Sequence, residues 1–219
     1  MGSSSLLDVI GSLLTGGLLL LIALRLNMST IETRQTYGYN YKNQTNLTTL
    51  VMMIEDDFAR IAYCKNPANL AVNPSAQAIR VCDSTRFRYR TDIGDNGSVD
   101  SIEYSIGSTP DLTETENPGD YYLIKRVWNN GVLSQQNWNL GVTKFRFDYF
   151  RSGGSTTRPM SFPIVSTVPG NTPQNVGLMR LSIILESPEK PKEQFLGDTS
   201  QYQVFWKQVR VTSKNLAFR

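Results

Sequence analysis

The sequence predicts an α+β fold, one long N-terminal helix laid against a domain of antiparallel β-sheet. Three observations carry this expectation. No residue between Val9 and Leu24 is charged. Leu47, Leu50, Val51, Ile54, Phe58 and Ile61 recur at steps of three and four, which lines them up on one side of a helix. From Arg86 onward, short alternating runs are separated by Asn-Gly turns, the pattern of hairpins.

The first element is Leu6–Leu26. At about 1.5 Å per helical residue it covers about the 30 Å of a hydrocarbon core, so it is long enough to cross a bilayer once. A cleaved signal peptide is the rival reading. It wants a basic n-region and a small-x-small cleavage site, yet no Lys or Arg precedes Leu7 and the run ends in Leu24-Arg25-Leu26-Asn27. Asp8 stands at the edge of this run. A carboxylate there either marks the interface or finds a partner on a neighbouring chain, such as the N-terminal amine of another subunit.

The segment 28–64 is expected to continue the helix as a polar stalk. Thr30 to Tyr41 has no strong apolar stripe, and Gly38 is a weak point worth about 1 kcal/mol relative to Ala. Tyr37 and Tyr41 lie one turn apart and read as packing residues, with stacking or electron conduction as the sharper alternative. Leu50, Ile54, Phe58 and Ile61 form the face that a sheet should cover. Glu55, Asp56 and Arg60 take the other side, where Asp56 and Arg60 are placed to pair. Cys64-Lys65-Asn66-Pro67 is expected to end the helix, since proline disfavours the helical conformation before it.

The segment 65–219 then forms the sheet domain. Asn66 to Ala78 reads as loop. Strands are expected at Arg86–Arg90, Val99–Ile106, Tyr121–Trp128, from Val132 onward, Val142–Phe150, Leu178–Leu185 and Tyr202–Val211. Turns fall at Asp95-Asn96-Gly97 and Asn129-Asn130-Gly131. Arg151–Asn175 and Ser187–Gly197 are longer connections, of the size that often carries function.

Composition narrows the chemistry. Lys and Arg number 22 against 19 Asp and Glu, scattered among one another with no basic run longer than Lys125-Arg126, so nothing argues for nucleic acid and no nucleic-acid partner is expected. The chain has no histidine, which removes Ser-His-Asp, Cys-His and His-based metal chemistry from this chain. No nucleophile–base pair stands out, no cofactor is expected, and the chain does not read as an enzyme. Asp92, Asp95, Asn96 and Asp100 lack the spacing of a calcium loop and read as a polar turn. Asn27, Asn43, Asn46 and Asn96 head N-x-S/T triplets, a pattern frequent by chance. Arg25 and Arg34 follow the apolar run, which taken alone places the rest of the chain in the cytoplasm; that rule weakens for long translocated domains. An external domain is the expectation. There the two cysteines, Cys64 and Cys82, would form a disulfide, the alternative being two buried free thiols.

A half-apolar, half-amphipathic helix followed by an antiparallel sheet resembles the type IV pilin-like architecture. More closely, the chain resembles the J-type minor pseudopilins of type II secretion systems and related minor pilins. The resemblance rests on Leu50–Ala62 (LVMMIEDDFARIA), Ile102–Ile106 followed by Tyr122–Arg126, Val142–Phe150 and Val209–Leu216. These pieces run in order through most of the chain, each short. Gly2-Ser3 departs from the family's Gly-Phe-Thr-type processing site. Cleavage after Gly2 would put Asp8 at the sixth mature position, and a start at Ser4 would put it at the fifth, where the family carries Glu. If Met1 were the mature residue, Ser5 would hold that place.

The resemblance implies assembly through the N-terminal helix. Like or related pilin subunits would pack in a filament core, with Gly11, Gly16 and Gly17 allowing close approach and Asp8 setting register. It implies an inner-membrane anchor or an extracellular filament. The competing class is a single-pass, membrane-anchored binding or adhesin domain that acts alone.

Overall fold

The computed structural model of the chain describes residues 3–71, 78–108, 112, 115–187 and 202–212. Its first element, α1, is a single helix over Ser3–Ala59, about 85 Å long at 1.5 Å per residue. Gly38 does not break it; a Cβ there would meet open space. Thr30, Thr33 and Thr48 donate their hydroxyls back to the carbonyls of Leu26, Ser29 and Gln44 at 2.7–2.9 Å, so the polar stretch satisfies itself.

The helix ends at Ala59, ahead of the stop expected at Cys64–Pro67. Arg60 and Ile61 tighten into i→i+3 bonds with Asp57 and Phe58, and Ala62 turns to a positive φ of 61°. The freed Ala62 N–H donates to Arg90 O at 3.0 Å. A backbone bond to the strand that carries Arg90 thus takes over from the helix ladder. Pro67 instead opens the short helix α2, Ala68–Ala71, a position where its missing N–H costs nothing.

The sheet has seven antiparallel strands in sequence order: β1 Ile79–Cys82, β2 Arg86–Thr91, β3 Asp100–Ile106, β4 Tyr121–Asn129, β5 Val132–Arg151, β6 Val176–Glu186 and β7 Val204–Val211. The β4–β5 hairpin turns at Asn130 (φ 49°) and Gly131 (φ 81°), the left-handed pair such a turn requires. β1 was not among the expected strands. The two strands expected from Val132 and over Val142–Phe150 are one, bent at Gly141 (φ 71°). Register shifts on β4 at Tyr121/Leu123 and on β5 at Val142/Lys144 flank the bend. A Cβ on Gly141 would stand 2.5 Å from Glu186 O, so the bend also needs a residue without a side chain.

The sheet curls. Phe147 N–H donates to Ser84 O at 2.7 Å and Tyr149 Oη to Asp83 O at 3.0 Å, which brings the β1–β2 turn against β5. The inward face of the curl meets the last turns of α1. Leu50, Ile54, Phe58 and Ile61 are all buried, as expected. Phe58 stands edge-on to Phe87, Tyr89 and Tyr104 at 5.3, 5.7 and 5.7 Å, and each such pair adds about 0.5–1.5 kcal/mol to the area term. The Arg151–Asn175 connection sends Met160 and Ile164 into the same core. Of the Ser187–Gly197 connection, all beyond Ser187 lies outside the described residues, as does the end of the Val209–Leu216 piece.

The disulfide expected between Cys64 and Cys82 is not formed; both thiols are free and buried. Cys82 pairs across from Phe87 at one end of β2. Cys64 lies beside Asp92 at the other end, its Sγ 3.5 Å from Gly97 O and 3.9 Å from Asp92 Oδ2. The length of β2 between them is about 16 Å at 3.3 Å per residue, far beyond what a disulfide bridges.

Candidate functional site

The residues singled out for assembly, Asp8, Gly11, Gly16 and Gly17, sit on the free part of α1. From Leu6 to Leu26 every described side chain is exposed, Leu13 by 73% and Leu19 by 66%. A largely apolar surface of this extent is far larger than a monomeric soluble protein carries. Among the described residues, this is one helix long and apolar enough to cross a membrane.

The helix sorts the four residues. At 100° per residue, Asp8 and Gly11 share a face with Ser12 and Thr15, a narrow small and polar stripe. Gly16 and Gly17 lie about 140° and 240° round from Gly11, so the four do not form one surface. A Cβ on Gly11, Gly16 or Gly17 would meet nothing within 4 Å. Nothing inside this chain requires glycine there, although glycine costs a helix about 1 kcal/mol each. The hydroxyls of Ser12 and Thr15 donate to Val9 O at 2.9 Å and Gly11 O at 2.9 Å. These two hydroxyls are thus satisfied within the helix, as an apolar medium demands.

Further along, Tyr37 and Tyr41 are 70% and 75% exposed, so they do not pack on this chain. The Asp56–Arg60 pair forms at 4.0 Å between exposed side chains, a contact worth little.

Beside the apolar face, a polar seam also ties the helix to the sheet. The Asp57 carboxylate receives the Lys125 ammonium from β4 and the Tyr104 hydroxyl from β3. The Asp57 carbonyl accepts Tyr89 Oη at 2.9 Å. Burial, followed by the Asp57 charge, pushes the Tyr104 hydroxyl far above its ordinary range. Asp57 sat in the quoted Glu-Asp-Asp run, but only strand register shows that Lys125 and Tyr104 reach it.

The Asp92–Asp100 loop is also ordered from within. Asp92 accepts N–H bonds from Gly97 at 2.8 Å and from Lys65 and Asn96 at 3.2 Å. Burial alone would raise its pKa, but these backbone donors and that of Asp95 outweigh it and hold the carboxyl below its ordinary value. Asp100 accepts Ile93 N–H at 3.0 Å and Asn130 N–H at 2.9 Å. These carboxylates brace turns. Among the described residues no three His, Cys, Asp or Glu side chains gather as a metal site would. No protein-family model, curated protein or solved structure matches the chain.

Proposed function

We propose that the chain is a structural subunit, of minor-pilin or pseudopilin kind, of an extracytoplasmic filament or secretion pseudopilus. It assembles through Leu6–Leu26 with like or related subunits and is anchored in the inner membrane before assembly. The observation that carries this reading is the apolar half of α1, which its own domain leaves entirely exposed while the last turns, from Leu47 to Phe58, are locked into the core. Two media are thereby served by one rigid element. In the filament the apolar halves pack together, and Gly16 and Gly17 let backbones approach. Asp8, at the edge of that surface, sets register against a neighbour's N-terminal amine. No catalytic step is assigned.

The test is copurification from native membranes with Gly16→Leu/Gly17→Leu beside the parent chain. The bulky pair fits freely in the isolated chain, so anchoring and folding stay intact while capture of related subunits falls at least tenfold. Equal capture, or a parent chain that purifies alone, would instead favour an anchored binding domain acting by itself.

A further inference from the structure

The outward face of β1–β4 gathers arginines that are scattered in the sequence. On β2, Arg86, Arg88 and Arg90 alternate with buried Phe87, Tyr89 and Thr91, so three guanidinium groups leave one strand on one side at intervals of about 6.6 Å. The register places Glu103 of β3 between Arg88 and Arg126 of β4, and Arg126 Nη1 lies 2.9 Å from Glu103 Oε1. Arg86 meets Asp83 at 3.0 Å. Arg80, in the bulge of β1, comes close enough for its charge to act on both Arg88 and Arg90.

The crowding has a cost. Burial first, and then the neighbouring guanidinium charges, depress Arg88 and Arg90, with Glu103 offsetting part of the effect on Arg88. Like charges on adjacent positions of a sheet destabilise it unless an opposite charge answers them. Every cation in the cluster is Arg, whose planar fork matches phosphate oxygens in pairs.

We propose that this face binds the sugar–phosphate backbone of double-stranded nucleic acid without reading sequence. The row of regularly spaced forks suits a repeating anion. Within the arginine row, the Trp128 ring is already covered by the Arg88 guanidinium at 3.8 Å, so it is not free to stack on an exposed base as single-strand binders use aromatic rings. The proposal is independent of how the N-terminal helix assembles.

The test is fluorescence anisotropy of the full chain in uncharged detergent with a random-sequence DNA duplex, over a salt series. Binding is expected, with log K falling linearly in log salt. Arg86→Gln/Arg90→Gln, which leaves Arg88 on Trp128, should make that slope shallower by about 1.8, at 0.9 per released phosphate contact. Arg86→Lys/Arg90→Lys should restore it, and Arg34→Gln on the helix should leave it unchanged. No binding, a slope unaltered in the Gln pair, tighter binding of single strands, or tighter binding of a sulfated polysaccharide would each overturn the proposal.

Discussion

Lys125 of β4 and Asp57 of the last turn of α1 form an ion pair across the helix–sheet seam, with only 14% and 15% of their side chains exposed. It sits among the rings of Phe58, Tyr89 and Tyr104, and each partner satisfies the other.

Removing one member should therefore cost more than the pair contributes. Asp57→Asn or Lys125→Met is expected to destabilise the domain by about 3–5 kcal/mol, since each strands the other charge. The double substitution should cost less than the sum. Denaturant titration of the four chains in detergent measures the coupling; strict additivity would refute it.

Gly141 gives a backbone test. With φ at 71° and Glu186 O standing 2.5 Å from where a Cβ would go, Gly141→Ala should cost about 2–4 kcal/mol. Gly38→Ala, in open helix, should stabilise by about 1 kcal/mol. Thermal midpoints moving in the same direction would show that the β5 bend is not constrained as described.

Acid dependence separates two buried aspartates. Asp92 has its folded pKa depressed, so it contributes stability that is full above the unfolded value of about 3.9 and is lost as pH falls through the folded value. Asp120 is raised, by burial first and also by Glu186, with the nearby Thr115 hydroxyl working against them. Its contribution is present at low pH and is lost as pH rises through the folded value. At neutral pH, Asp92→Asn should lower the thermal midpoint and Asp120→Asn should hold or raise it. Midpoints that fall in both variants would contradict the assignment for Asp120.

The two cysteines predict a mass and a reactivity. Intact mass without reductant should show two thiols and no loss of two hydrogens. Cys82, pushed up to about 12 by burial and by Asp83, should resist iodoacetamide in the folded chain and react on unfolding. Rapid native alkylation of Cys82 would mean the β1 end of the core is open.

Local patterns are what the sequence displayed well. The spacing of Leu50, Ile54, Phe58 and Ile61 named the buried face, and alternation found β2, β3, β4, β6 and β7. What it hid depends on register, which no local window contains. Alternation along β3 reads as half exposed, yet Ser101, Glu103 and Ser105 are buried because arginines from β2 and β4 fold over them. The Asp57–Lys125 seam and the arginine cluster arise the same way, from strands distant in sequence. Of the assembly residues, the pattern located the exposed surface but not its sorting, which separates Gly16 and Gly17 from Asp8 and Gly11. β1 is too short to display a period, and the helix end moved because Ala62 found a carbonyl on β2.

The continuity of α1 through Gly38 has a mechanical consequence. A pull applied at Leu6–Leu26 travels along one rod and reaches the apolar core between Leu47 and Ile61. Because the load runs along the helix axis, it tries to slide that face past the sheet and strains Leu50, Ile54, Phe58 and the Asp57 pair together. Contacts loaded in parallel resist more force than contacts peeled one after another, so the domain is tethered in shear.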